Sequence, residues 1–177
     1  AVVTSDGTLT LSNSDTASYS SGSGTTALVF TTTIAENDAA SSDLSVSSSG
    51  GTIADSAGGA AGSASGDLGT VTVDGDAPDF TSCTATDDTY GIGEALSITC
   101  TWDEAVVTSD GTLTLSNSDT ASYASGTGTT ALVFTTTIAE GDTDSSDLSV
   151  SSFGGTIADS AGGAAGAASG DLGAVIV

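Results

Sequence analysis

The chain has 177 residues, of which 23 are acidic and none is Lys, Arg or His, so its formal net charge is −23. Such a surface lacks the cations that bind phosphate backbones and anionic headgroups, which excludes nucleic-acid and membrane-surface binding. The 37% apolar content lies in short alternating runs that predict a folded β protein, and no run approaches the ~18 apolar residues of a membrane-spanning helix.

An internal repeat with a period of 104 residues organises the chain. Residues 1–73 and 105–177 differ at nine positions and match at the other 64 of 73, whereas residues 74–104 occur once. A repeat of this length is a whole small domain, so we expect beads on a string. Residues 74–177 would form a complete domain with a linker at 74–79. Residues 1–73 would be the C-terminal part of another domain, with its first two strands missing.

Alternating apolar residues predict the strands of the complete repeat. FTSCTAT starts at Phe80, and ALSITCTW places one apolar face on the second strand. Later strands are TLTL, TASYASG around Tyr123, ALVFTTTI, DLSV and AVIV, with Ile176 facing outward. The predicted inward residues are Leu96, Ile98, Cys100, Trp102, Leu113, Leu115, Leu132, Phe134, Ile138, Leu148, Val150, Val175 and Val177. About seven strands in ~100 residues predict an all-β sandwich of immunoglobulin type.

The tract GGTIADSAGGAAGAASGD is rich in alanine, but its glycines and the lack of a 3.6-residue apolar stripe disfavour a helix. We expect an irregular crossover there, with at most one short turn.

Several segments, in their order and spacing, resemble the tandem immunoglobulin-like (cadherin-like) repeats of very large bacterial surface and secreted adhesins. They are DGDAPDF, TYGIGEALSITCTWDEAV, GTLTLSN and GGTIADSAGGAA. The matching positions are Asp74–Pro78 for the linker, Thr89–Glu94 for the turn into the second strand and Trp102–Val106 for its end. The resemblance covers the whole repeat and implies an extended extracellular stalk or fibre, often rigidified by Ca²⁺ between domains. The chain departs from the family in lacking basic residues and in carrying two cysteines.

Those cysteines, Cys83 and Cys100, lie on the first and second predicted strands, which would run side by side. A disulfide is the preferred interpretation and would place the protein outside the cytoplasm. Two buried free thiols are the alternative. A nucleophilic thiolate is not expected, because the chain has no His, Lys or Arg to activate it.

The carboxylates cluster in a way that predicts Ca²⁺ between repeats. The candidate ligands are Asp74, Asp76 and Asp79 at the linker, Asp87 and Asp88 in the first hairpin, Asp103 and Glu104 after the second strand, and Asp142, Asp144 and Asp147 in GDTDSSD. Up-and-down strands would gather acids from successive repeats at each junction, and Ca²⁺ takes about six to eight oxygen ligands. The alternative is that such residues serve turn geometry and solubility, which we prefer for Asp6, Asp15, Asp67, Asp110, Asp119 and Asp171.

We therefore expect a non-catalytic extracellular structural protein of bacterial type, a tandem-repeat fibre or adhesin stalk stiffened by calcium. Its partners would be further copies of the repeat, in the same chain or by end-to-end or strand-addition assembly. Strands of about eight to ten residues predict roughly 40 Å of rod per repeat. An enzyme is not expected, because the residue types of a Ser-His-Asp triad or a phosphate-binding lysine are missing.

A carbohydrate- or surface-binding adhesin module, with glycans as ligands, is the alternative function. It would need aromatic side chains on an exposed face, yet Phe80, Trp102 and Phe134 have core parity. Phe153 is expected to be exposed, because the first copy has Ser49 at that position.

Overall fold

Every regular element in the computed structural model, which describes all residues 1–177, is a β-strand. The chain divides into two units, Ala1–Asp76 and Ala77–Val177, so the boundary falls inside the predicted linker. The Ala- and Gly-rich tract is irregular, as expected from its composition. None of the chain forms a helix with the length and apolar character needed to cross a membrane.

The first unit contains a five-stranded antiparallel sheet with strand order β4-β3-β2-β5-β7, and a small sheet formed by β1 and β6. The strands are β1 Val2–Val3, β2 Thr8–Leu11, β3 Thr16–Ser21, β4 Val29–Thr31, β5 Ser45–Gly50, β6 Ala54–Asp55 and β7 Gly66–Asp67.

The second unit contains a seven-stranded antiparallel sheet with strand order β15-β14-β11-β12-β13-β10-β8, and a parallel pair formed by β16 and β9. The strands are β8 Phe80–Thr84, β9 Asp88–Thr89, β10 Ala95–Val106, β11 Thr112–Leu115, β12 Thr120–Ser125, β13 Thr129–Thr137, β14 Ser149–Gly154, β15 Gly170–Asp171 and β16 Val175–Ile176.

The seven-stranded sheet curls until its two edge strands, β8 and β15, lie beside each other. Just beyond those strands, the Ala85 N–H donates to the Leu172 carbonyl at 3.2 Å. Register shifts interrupt the pairing after Thr101, Thr114 and Tyr123. Such bulges increase the local twist, which lets a single sheet wrap around the core. The expected all-β class is confirmed, and the observed form is one barrel-like sheet.

The core of the second unit confirms the predicted parity along the strands. Alternate residues of β10 from Leu96 to Trp102 are at most 3% exposed, and Phe134 of β13 is fully buried. Val175 is buried while its neighbour Ile176 is 39% exposed. Because period-two alternation sets which face of a strand is buried, these residues could be assigned without knowing the topology.

Two copies of one tight turn show what some of the aspartates do. In the second copy the Asp119 N–H donates to Asn117 Oδ1 at 3.2 Å, and Asn117 Nδ2 donates to Asp119 Oδ2 at 2.6 Å. Asn13 and Asp15 repeat both bonds in the first copy. Asp171 Oδ1 likewise accepts the Gly173 N–H. The turn role preferred for these residues is confirmed.

Phe153 is not an exposed side chain, contrary to the sequence prediction. It is partly buried against the core, and its ring meets Phe134 edge to face with centroids 6.1 Å apart. The ring lies over Gly111, where an added Cβ would be 3.0 Å from it. Because a glycine leaves room at that point, the second copy accommodates a phenylalanine where the first has Ser49.

Cys83 and Cys100 form a disulfide between β8 and β10, at positions directly opposite each other in the ladder. Both residues are buried in the core. The predicted pairing is therefore confirmed, and it crosslinks β8 and β10, which are neighbours in the sheet of the second unit.

Removing this crosslink with the double variant Cys83→Ala and Cys100→Ala should destabilise the second unit by about 3 kcal/mol. The disulfide spans 17 residues and restricts the unfolded chain over that loop. Hydrogen exchange read by mass spectrometry would report each unit separately, and the cysteine-free first unit is the internal control. Equal loss of protection in both units would contradict the assignment.

The two copies also offer a matched pair of leucines. Leu172 is 1% exposed in the core of the second unit, whereas its counterpart Leu68 is 47% exposed. Leu172→Ala should cost about 2–5 kcal/mol of unfolding free energy, and Leu68→Ala well below about 1 kcal/mol. Unfolding in urea followed by unit-resolved exchange measures both, and similar costs would contradict the difference in packing.

Candidate metal centre

The end of β10 positions Glu104 on the inner face of the sheet. Trp102 and Val106 are buried, the intervening Asp103 is exposed, and Glu104 is half-buried. Because successive strand residues point to opposite faces, Glu104 shares the core side with Trp102 and Val106. Asp103 points the other way, so these neighbouring acids occupy different environments.

A tight loop presents the second acid of the site. Asp159, in the segment IADSAGG, is 5% exposed and is the only buried acidic residue of the chain. Its Oδ1 accepts the N–H groups of Ala161, Gly162 and Gly163 at 2.6, 2.5 and 2.9 Å. Gly162 has a φ of 105°, a backbone conformation that glycine adopts without strain.

Backbone bonds fix this loop against the end of β10. Val107 and Ala158 exchange hydrogen bonds of 2.7 and 3.2 Å. Trp102 Nε1 donates to the Gly166 carbonyl at 3.0 Å, and the Gly166 N–H donates to the Pro78 carbonyl at 2.8 Å. The loop around Asp159 is therefore held between the end of a core strand and the first residues of the unit.

The carboxylates of Glu104 and Asp159 converge within this second unit. One oxygen of each lies within 4.8 Å of the other. Asp159 Oδ2 is buried and has no hydrogen-bond partner. A buried polar atom without a partner costs about 1–3 kcal/mol, and more when it is charged. The arrangement therefore favours a bound group that supplies positive charge at Oδ2.

No side chain of this protein can supply that charge, because the sequence contains no Lys, Arg or His. Both cysteines are in the disulfide, so the available side-chain ligands are oxygens. Hard oxygen donors suit Ca²⁺ or Mg²⁺ and do not favour zinc or copper. The residues present could therefore hold a divalent cation through oxygen ligands.

Asp79 and Asp103, two of the predicted ligands, lie side by side at the same end of the unit. The Asp79 N–H donates to Asp103 Oδ1 at 2.8 Å, and the Asp103 N–H donates to the Asp79 carbonyl at 3.1 Å. Asp103 Oδ1 therefore already has a backbone donor, although both side chains are exposed.

A second group of predicted ligands lies near the C-terminal strand. Asp87 Oδ1 accepts the Ala174 N–H, Asp88 Oδ1 accepts the N–H of Thr89, and Asp142 Oδ2 accepts the Ala139 N–H. The GDTDSSD loop, with exposed Asp144 and Asp147, is joined to Val177 by two backbone bonds through Ser145. The Ile138 N–H donates to the carbonyl of Glu94, the residue before β10, at 2.9 Å. Ten strand residues, about 30 Å, separate that end from Glu104.

The linker acids Asp74 and Asp76 belong to the first unit and are exposed. Between them, the Gly75 carbonyl accepts the Asn37 N–H at 2.7 Å, which holds the linker to that unit. Asp74 is three residues before Ala77, the first residue of the second unit.

Sequence reasoning missed Asp159, the buried member of the site. It lies in the Ala- and Gly-rich crossover, where no cluster of acids marks it. The signal in the sequence is an Asp three residues before a Gly-Gly pair, present in both copies as Asp55 and Asp159. Asp side chains in such segments commonly accept local backbone N–H groups.

The three aromatic residues predicted at core parity, Phe80, Trp102 and Phe134, lie in or against the core. Trp102 is 3% exposed, packs edge to face on Phe80 with centroids 5.7 Å apart, and donates its indole N–H to a backbone carbonyl. Phe134 is fully buried.

Comparison with protein-family models, curated proteins and solved structures finds no match to this chain.

The first copy repeats the aspartate loop without the glutamate. Asp55 corresponds to Asp159, and its Oδ1 accepts the N–H groups of Ala57 and Gly59 at 2.8 and 2.9 Å, but its side chain is exposed. Hydrogen bonds from Gly59 and then Ala57 hold the pKa of Asp55 below its ordinary value of 3.8.

This lowered pKa makes the loop of the first unit sensitive to acid. The stability that ionised Asp55 contributes is fully present above pH 3.8 and is lost as the pH falls through its folded-state pKa. The amide chemical shifts of Ala57 and Gly59 should titrate with a midpoint below 3.8, and Asp55→Asn should abolish this titration. A midpoint at or above 3.8 would contradict the hydrogen-bond assignment.

Proposed function

We propose that the protein is a non-catalytic extracellular structural protein, built from tandem immunoglobulin-like repeats and stiffened by Ca²⁺ bound where one repeat joins the next. The observation that carries this proposal is the buried, unpartnered Oδ2 of Asp159 beside Glu104, in a chain without a cationic side chain. The disulfide and the lack of a membrane-spanning helix are compatible with an extracellular location.

The spacing of the two carboxylates suits calcium. Ca²⁺ binds oxygens at about 2.3–2.6 Å, so two oxygens on opposite sides of one ion are separated by about 5 Å. The Glu104 and Asp159 oxygens meet that limit at 4.8 Å or less. Calcium tolerates irregular geometry better than Mg²⁺, which suits a site built from one strand end and one loop. Water and backbone carbonyls would complete the coordination.

The linker offers the next ligand. Asp74 lies five residues before Asp79, whose backbone is bonded to Asp103 at the metal-binding end of the second unit. A linker carboxylate that bound the same ion would tie the linker to the domain that follows it.

Calcium bound at the linker would restrict the reorientation of one repeat relative to the next. A linker without a bound ion leaves neighbouring domains free to reorient, which is the default for domains with small interfaces. A tied linker sets one orientation, and identical junctions would give a stiff rod. The acids around Asp87 and Asp142, at the far end of each repeat, would face the next junction and add oxygen ligands there.

Calcium binding is tested by Asp159→Asn, with Asp55→Asn as the matched control. The amide keeps an oxygen for the loop N–H groups and removes the buried charge. At fixed ionic strength and a hundredfold excess over Kd, Ca²⁺ should stabilise the second unit of the wild type and of Asp55→Asn by about 2.7 kcal/mol. In Asp159→Asn this gain should be absent. Thermal unfolding with calcium, or with sodium at equal ionic strength, measures it.

The stiffening is tested by small-angle X-ray scattering of the chain in calcium and in EGTA. Calcium should narrow the distribution of distances within the particle, and Asp74→Asn should weaken this effect because it removes the linker ligand. Asp6→Asn, which alters an acid outside the site, is the control. Identical scattering in calcium and EGTA would contradict a stiffening role, even if the ion still binds.

A further inference from the structure

The first unit contains an open apolar groove. Its volume is about 420 Å³, and Leu11, Ala17, Phe30, Leu44, Val46 and Leu68 are among its lining residues. Val29 and Leu68 are 49% and 47% exposed there. Exposed apolar surface of this kind marks a place where another segment binds.

The second unit shows which segment covers the same residues. The counterparts of the six lining residues are Leu115, Ala121, Phe134, Leu148, Val150 and Leu172, and each is at most 3% exposed. In the first unit Leu11, Ala17 and Leu44 are also buried, so the difference lies at Phe30, Val46 and Leu68. The six counterparts pack in one core with residues of β8 and β10, including Ile98, Cys100 and Trp102. The hairpin at 77–104 therefore fills in the second unit the space that is open in the first.

The backbone carries the same difference. In the second unit β13 pairs with β10 from Ala95 to Thr101, and Ile98 lies opposite Phe134. In the first unit β4, the counterpart of β13, is an edge strand that pairs only with β3. It spans three residues, whereas β13 spans nine. An unpaired edge beside an apolar groove is the geometry that accepts an added strand.

Residues 1–177 contain two such grooves and one hairpin, since residues 74–104 occur once. Transfer of that hairpin to the first groove, within a chain or between two copies, would open the groove that it leaves. The grooves differ at few positions, so such an exchange would not increase the apolar area that is buried. A further copy of the hairpin would cover the groove of the first unit without opening the one in the second unit.

We propose that the groove of the first unit binds a further copy of residues 77–104, joined to Ala1 as Glu104 is joined to Ala105. In the second unit β10 runs unbroken through that junction to Val106, so the strand passes directly from the hairpin into the remainder of its domain. A covalently joined hairpin acts at an effective concentration of about millimolar or higher, which favours this source over a separate chain.

The added hairpin would also complete a second cation site. It would bring the counterpart of Glu104 beside Asp55, which the first unit leaves exposed. The chain would then bind two calcium ions at equivalent sites in place of one. This consequence rests on the proposed function, whereas docking of the hairpin does not.

The test is a chain in which residues 74–104 are repeated ahead of Ala1, compared with the chain of residues 1–177, both in EGTA. Amide exchange at Val29–Thr31 should slow by about 100-fold, because β4 becomes an internal strand. Fluorescence of an apolar dye should fall as the groove is covered. The matched control carries Leu96→Asp and Ile98→Asp in the added copy only, and should show neither change.

Unchanged exchange at β4 and unchanged dye binding in the extended chain would overturn the proposal. Concentration-dependent protection of β4 in the chain of residues 1–177 would also overturn it, because a second copy would then cover the groove. If the extended chain fails to fold, the oxidised peptide of residues 77–104 is added to the chain of residues 1–177. Protection of β4 by the peptide would support the proposal. Absence of that protection at millimolar peptide would overturn it. Calcium titration of the extended chain, done separately, tests the second cation site alone.

Discussion

The absence of any cationic side chain is the constraint on which the rest of this structure depends. Each carboxylate must remain in water, accept backbone N–H groups or meet an ion from solution. Most carboxylates remain in water or lie in turns bonded to backbone N–H groups, as Asp119 and Asp171 do. Asp159 is buried with one oxygen bonded three times and the other without a partner. It is the acid of this chain with a buried side-chain oxygen that no protein group satisfies.

The hairpin at 77–104 supplies both core residues of the second unit and the acid Glu104. Its strand β10 contributes Ile98, Cys100 and Trp102 to the core and carries Glu104 near its end, with a Glu104 oxygen within 4.8 Å of an Asp159 oxygen. Its disulfide crosslinks the two strands within the core. Where the hairpin is present, the groove is filled and the aspartate of the crossover loop is buried. In the first unit the same loop leaves Asp55 exposed.

Much of the fold could be predicted from the sequence, because period-two alternation fixes which residues of a strand face the core. Burial from Leu96 to Trp102 and the disulfide follow from that rule. The curling of the sheet could not be predicted, since it depends on bulges that alternation does not reveal. Phe153 was misassigned because its packing depends on the space above Gly111, 42 residues away. Asp159 was missed because its burial comes from loop docking and not from neighbouring acids.

Anomalous X-ray diffraction from crystals grown with Ca²⁺ tests most directly whether an ion from solution neutralises the carboxylates of Glu104 and Asp159. We expect an anomalous peak about 2.4 Å from Asp159 Oδ2, with Glu104 as a further ligand. A structure at saturating Ca²⁺ in which Asp159 Oδ2 is hydrogen-bonded only to water, with no anomalous signal nearby, would contradict it.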